Sequence, residues 1–301
     1  MFSCRTDLAM ENFDPNSGFP GVEVHRWEES DVQLSEVLIV SEKAARELGK
    51  PCGTYLTLEC ALLREHDPDA RAAMSNLLGE ELARMLEPFD GKPILVAGLG
   101  NRGVTPDALG PAAVEKTLVT RQLCAGEFAP NGLRSVSAFA PGVLGVTGIE
   151  TVEMVESLAR AIQPAAVVCV DSLAARDSAR IGCTVQISNT GIQPGSGVGN
   201  HRRALTKESL GVDVVAVGVP TVIYAATLAR DAFALLSGEG EGEAALGAME
   251  RELMETRLGN LIVTPRDIDA IVQNCAALIA GGLNRALHPG LSDEQIAQMM
   301  D

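Results

Sequence analysis

The stretch ILVAGLGNRGVTPDALGP, residues 94–111, decides how this chain is read. Its first six residues form an unbroken apolar run. A strand with one wet face alternates apolar and polar residues, whereas an unbroken run suits a strand covered on both sides, as at the centre of a parallel sheet. Three glycines follow. Thr105-Pro106 then opens a helix predicted over 106–123, because proline suits a first helical turn. Gly98-x-Gly100-x-x-Gly103 also has the spacing of a dinucleotide loop, whose pyrophosphate would rest on the helix N-terminus. Two strand patterns precede this one, however, and no acidic residue closes a following strand about 20 residues on. The glycines therefore read as a tight strand-to-helix turn. Asp107 falls in the first helical turn, where the helix dipole favours a carboxylate.

The same alternation continues outward. Residues 32–40, 54–63, 134–139, 165–171, 183–188 and 213–219 read as strands. A short helix is predicted from a Ser41 cap to Gly49, and a longer one over DPDARAAMSNLLGEELARMLEPF, residues 67–89, with Asp67 as cap and Pro68 in the first turn. Further helices are expected over 149–162, 221–236 and 265–287, the last capped by Thr264. Strands alternating with helices define an α/β fold: a mostly parallel or mixed central sheet with helices on both faces. Residues 1–20 are polar and read as flexible, and SGEGEGE at 237–243 reads as an exposed loop.

Composition narrows the function. The net charge is −16, and only 3% of residues are aromatic. An acidic surface repels phosphate backbones, and few aromatics leave little to stack on bases, so direct nucleic-acid binding is not expected. The seven cysteines are odd in number and contain no CxxC pair, as expected for reduced thiols in the cytoplasm. No signal-peptide pattern and no apolar run of about 18 residues is present, so no membrane span is expected. HxxxH, HxH and GxSxG patterns are absent, which argues against zincins and serine hydrolases.

Two acids remain. Asp171 closes the apolar run AAVVCV, and functional crevices of open α/β sheets lie beyond the carboxyl ends of strands. Asp107 lies just past another strand end. If the two strands are near neighbours, both carboxylates open on one sheet edge, where they could share a proton, hold a water or hold a metal. Asp171 reads equally well as a cap for a following helix. The loop at 188–203 carries Gly191, Gly195, Gly197 and Gly199, a run of exposed backbone N–H groups suited to an anion or an extended peptide.

Several strings together resemble one family. They are RTDLAME (5–11), GLGNRGVTPDALGP (98–111), VTRQL (119–123), PGVLGVTGIET (141–151), VDSLAAR (170–176), NTGIQPGSGVGNHR (189–202), VGVPTVI (217–223) and VTPRDIDAIVQNCAALIAGGLNRALH (263–288). Nearly the whole chain resembles the germination proteases of spore-forming bacteria. The resemblance implies an α/β fold similar to the hydrogenase-maturation endopeptidases. It also implies a homotetrameric endopeptidase of the spore-core cytoplasm that degrades small acid-soluble spore proteins. Such enzymes are made as self-processing zymogens.

The resemblance assigns catalysis to an aspartic-type pair at Asp107 and Asp171; no cofactor and no metal are expected. Apart from the resemblance, the N–H groups of Gly191, Gly195, Gly197 and Gly199 could hold the substrate backbone or the developing oxyanion. Family substrates are cut after an acid in a stretch like Thr-Glu-(Phe/Ile)-Ala-Ser-Glu. Thr6-Asp7-Leu8-Ala9-Met10-Glu11 matches that stretch, so cleavage is expected between Asp7 and Leu8. Residues 1–7 would be propeptide and 8–301 a single peptidase domain. The family commonly has Asp where Asn189 and Tyr224 stand here. The alternatives are a metal-dependent endopeptidase of the hydrogenase-maturation type, a nucleotide-binding module and a thiol peptidase.

Overall fold

The computed structural model describes residues 6–13, 18–124, 133–193, 203–237 and 243–300. Nine strands occur among them: β1 Val22–Glu29, β2 Val32–Ile39, β3 Gly53–Glu59, β4 Ile94–Gly98, β5 Val136–Phe139, β6 Ala166–Ala175, β7 Thr184–Ser188, β8 Asp213–Tyr224 and β9 Ile262–Val263. They form one sheet in the order β1-β2-β3-β7-β8-β6-β4-β5, with β9 on β8. β8, β6, β4 and β5 run parallel, and β1, β2, β3 and β7 add an antiparallel wing. The mixed sheet expected from the sequence is therefore present.

The helices are α1 Glu42–Leu48, α2 Pro68–Leu86, α3 Leu109–Val114, α4 Arg121–Cys124, α5 Leu144–Thr147, α6 Thr151–Ile162, α7 Lys207–Leu210, α8 Ala225–Ser237, α9 Glu243–Met254, α10 Ile268–Leu287 and α11 Asp293–Met300. On one face, Val96, Val168, Val170 and Val217 meet α2, α3 and α10 through Leu78, Leu82, Leu109, Ala113, Ile279 and Leu283. On the other, Leu95, Ala97, Val167 and Cys169 meet α6 through Val152 and Val155. Helices thus cover both faces, which is why β4 and the first part of β6, Ala166–Val170, are apolar throughout. Among the described residues, no helix is long and apolar enough to cross a membrane.

Local signals account for several boundaries. The Ser41 hydroxyl accepts from Ala44 N, and Gly49 closes α1 in the left-handed region. The Asp67 carboxylate caps α2 through Asp69 N and Ala70 N. Other expectations are corrected. The helix predicted over 106–123 is broken into a 3-10 turn at Thr105–Asp107, then α3 and α4. Asp107 thus precedes the α-helix rather than lying in its first turn. The strand predicted to Leu63 ends at Glu59, and Ala61–Glu65 is 3-10.

Asp171 does not close its strand, because β6 runs on to Ala175 beside β8, which itself runs to Tyr224. It therefore caps no helix. Thr264 does not cap α10; its hydroxyl donates to Thr221 O, and the helix starts at Ile268. The helix predicted from 149 starts at Thr151, and the one predicted from 221 starts at Ala225. β1 escaped the sequence reading because it is an edge strand exposed along most of its length, so burial imposed no alternation on it. Most of the 237–243 loop lies outside the described residues.

One close approach fixes the turn that carries Asp107. A Cβ on Gly110 would lie 2.3 Å from Leu99 O and 2.5 Å from Val170 O, both backbone atoms. α3 therefore rests directly on the end of β4 and on β6. Gly110→Ala is expected to cost about 3 kcal/mol, at the upper end of overpacking because no side chain can yield. Urea denaturation of the parent and variant measures this.

Candidate active site

β4 pairs with β6 only as far as Gly98 opposite Val170, and Leu99 N adds a last bond to Val170 O at 2.7 Å. Asp171 is the next residue of β6. Its side chain leaves the sheet on the face of Cys169, is 4% exposed, and accepts from Ser172 N at 2.9 Å. The strands carrying the two acids are thus direct neighbours, as the sequence argument required.

The Asp107 turn sits over this strand end and lies against both β6 and β8. Asp107 Oδ2 and its main-chain oxygen both accept from Asn101 N, at 2.8 and 2.9 Å. Gly100, with φ +110°, makes this possible, because a Cβ there would lie 2.1 Å from Asp107 O. Thr221 Oγ1 donates to Pro106 O at 2.7 Å and ties the turn to β8. The fingerprint-like glycines thus seat an acid. A carboxylate on the Asn101 N–H opposes a pyrophosphate at that position, and the dinucleotide reading gains nothing.

The N-terminal segment corrects the expected flexibility over its described part. Residues 6–13 are docked, and Leu8 is fully buried against Leu173 and Ala175 of β6, with Ile192 beside it. Asp7 N donates to Ala174 O at 2.9 Å, and Asp7 Oδ2 accepts from Ala174 N at 2.8 Å. The Asp7 carbonyl accepts from Lys50 Nζ at 2.8 Å and from Gln186 Nε2 at 3.0 Å. Ala9 N donates to Gln186 Oε1 at 2.7 Å. The segment reads as free in the sequence because its anchors are polar and the groove that takes Leu8 is formed by distant residues, Leu173, Ala175 and Ile192.

Glu11 anchors the far end. Its carboxylate accepts from Arg176 N at 2.8 Å, Asp177 N at 3.1 Å and the Thr6 hydroxyl, and Arg180 Nε lies 3.4 Å away. Burial raises the Glu11 pKa against these partners, and burial lowers that of Lys50 against the carboxylates of Asp7 and Glu11.

Of the predicted glycines, Gly191 lies against the backbone of Leu205 and Thr206, while Ile192 packs near Leu8. Gly191 has φ +82°, and Ile192 beyond it bridges to Leu205. Gly195, Gly197 and Gly199 lie outside the described residues. Asn189 serves the fold, since its Oδ1 accepts from Thr54 N at 2.9 Å. Cys169, Cys183 and Cys275 are buried thiols whose pKa values burial raises, that of Cys275 to about 12. A nucleophilic thiolate needs the opposite shift. Among the described residues, no three His, Cys, Asp or Glu side chains gather to hold a metal ion, so the metal-dependent alternative gains no ligand set from them.

Lys50, Gln186, Thr221 and Arg180 were not singled out in the sequence. Lys50, Gln186 and Arg180 are ordinary surface-type residues in unremarkable strings, and Thr221, within VGVPTVI, shows no chemistry of its own in the sequence. The only available signal was the substrate-like TDLAME, which says that something must hold it.

The family model described as germination protease matches residues 5–244. A germination protease of Caldanaerobacter subterraneus subsp. tengcongensis is 40% identical, over 98% of both chains. One of Clostridium perfringens is 39% identical over the full length of both, and one of Bacillus cytotoxicus is 38% identical over 95% of this chain and 94% of its own. A solved [NiFe] hydrogenase maturation protease, HycI from Thermococcus kodakarensis, overlaps 66% of this chain and 97% of its own. Its identity is 22% and its TM-score 0.34, too distant to bear on the site. The chain described here is thus a peptidase. It belongs to the germination protease family.

Removing Glu11 tests the docking. Glu11→Ala leaves two backbone N–H groups and Arg180 without their carboxylate, each bond to a charged group being worth about 1.5–3 kcal/mol. Amide hydrogen exchange over residues 6–13 should lose roughly a hundredfold of protection, read by mass spectrometry.

Proposed function

We propose that this chain is an aspartic-type endopeptidase that starts the degradation of small acid-soluble spore proteins, with Asp107 and Asp171 as its working acids. It is made as a zymogen that cuts itself between Asp7 and Leu8. Residues 1–7 are propeptide and residues 8–301 the single peptidase domain. It works as a homotetramer in the cytoplasm of the spore core. Its net charge of −16 suits a partner that takes proteins off DNA without binding DNA itself. One observation carries this reading. The substrate-like Thr6–Glu11 segment is seated along β6 three to six residues past Asp171, under the strand end that also carries the Asp107 turn.

The chemistry is assigned to two acids delivered by the neighbouring strands β4 and β6. One carboxylate is ionised and takes a proton from a water, whose oxygen bonds to the carbonyl carbon of Asp7. The other carboxyl is protonated and gives its proton to the Leu8 nitrogen as the C–N bond breaks. The products are a new carboxylate at Asp7 and a new amine at Leu8. Water and peptide bond balance with no cofactor.

Asp107→Asn and Asp171→Asn remove the proton-transfer groups while keeping size. Each should slow both self-processing and cleavage of a small acid-soluble spore protein by at least about 10²–10⁴-fold. Mass spectrometry of new N-termini reads both reactions. Near-parental rates in either variant would remove that acid from the mechanism.

A further inference from the structure

The predicted scissile bond is held by groups outside the acid pair. The carbonyl oxygen of Asp7 receives two donors, Lys50 Nζ at 2.8 Å and Gln186 Nε2 at 3.0 Å. Both are ordinary hydrogen bonds to the ground-state carbonyl oxygen, from donors already aimed at the atom that takes up charge when water adds. The same Gln186 amide accepts from Ala9 N through Oε1 at 2.7 Å. A main-chain carbonyl can only accept and a main-chain N–H can only donate, so the orientation of that amide is fixed by chemistry. One side chain therefore brackets the Asp7–Leu8 bond from both sides. The leaving nitrogen, Leu8 N, meanwhile donates to Thr6 Oγ1 at 3.1 Å.

Sheet register relates this bracket to the acids. Gln186 on β7 lies opposite Gly218 on β8, and Gly218 lies opposite Asp171 on β6. Residues in one lateral row point to the same face. Val185 and Ile187, the neighbours of Gln186, belong to the α2–α10 face, so Gln186 points the other way, as Asp171 does. Two strand spacings put their backbones about 10 Å apart, with a glycine between them. Leu173 lies over that glycine, since a Cβ on Gly218 would meet its Cγ at 2.6 Å, and Leu8 packs on Leu173. The scissile bond thus rests over the gap between Gln186 and Asp171.

We infer that Lys50 and Gln186 form the oxyanion clamp of this peptidase. Their donors hold the carbonyl oxygen of the bond to be cut, both in this chain and in a protein substrate lying in the same groove. The inference rests on reading Asp7–Leu8 as the scissile bond. As water adds to the Asp7 carbon, the C=O pair moves onto oxygen, where the Lys50 ammonium and the Gln186 N–H face the new charge. When the C–N bond breaks, that pair returns to the carbonyl. Lys50 acts as a catalytic residue through charge. Gln186 acts through one donor and also fixes the strand on the far side of the bond.

Lys50→Met keeps an apolar stem and removes the charge. In the full-length chain, appearance of a Leu8 N-terminus should slow about 10²–10³-fold, the cost of losing one oxyanion donor. Exchange protection over residues 6–13 should fall by only about tenfold, the loss of one bond from the segment, and so by clearly less than the rate. Lys50→Arg should recover most of the rate. Gln186→Leu should slow processing and also lower protection at Ala9, and it provides the reading should Lys50→Met fail to fold.

Processing by Lys50→Met within threefold of the parent would overturn the inference. So would a slowing matched by an equal loss of protection, which would make Lys50 a docking residue only. A parental new N-terminus away from Leu8 would remove the clamp together with the cleavage assignment. Asp171→Asn separates the two ideas. If it processes normally while Lys50→Met does not, the acid pair falls and the clamp stands; the reverse result does the opposite.

Discussion

The contact on which the site depends is backbone against backbone. α3 lies on the end of β4 and on β6 with no side chain between, because Gly110 meets Leu99 and Val170 directly. That seating ends β4 at Gly98 and leaves the next five residues of β6 without β4 beside them. The backbone of Ala174, Arg176 and Asp177 in and after that stretch bonds the N-terminal segment. The Asp107 turn is delivered over the same strand end. A bulkier residue at the contact would lift α3, and the acid turn would move with it.

Much of this architecture is legible in the sequence because burial leaves a strong pattern. β4 and the first part of β6 are apolar on both faces and read as central strands. Ser41, Gly49 and Asp67 mark helix ends by local chemistry alone. What stays hidden is set by tertiary contact. The 106–123 segment has helical composition, yet its first turn is pulled into a 3-10 shape by Asn101 and Thr221. β6 and β8 extend each other past their apolar runs because each supplies the other with a partner.

The candidate site divides in the same way. Asp107 and Asp171 stand out because acids beside buried strands are costly and need a reason. Lys50 and Gln186 do not, because nothing in SEKAARELGK or CTVQIS separates them from solvent-facing residues. They become visible only when the N-terminal segment is seen lying across them, bonded at Asp7 and Ala9. Sequence reveals groups that are expensive to bury more readily than groups placed to meet another piece of chain.

The docked segment has one more consequence. It is joined to β1 by a short stretch of chain, so it never leaves the neighbourhood of its groove. A tether of that kind presents its end at an effective concentration on the order of millimolar. A free protein strand of equal intrinsic affinity would need a comparable concentration to take its place. On the proposed function, a protein substrate entering this groove meets a threshold set by chain connectivity and independent of how well any one side chain fits.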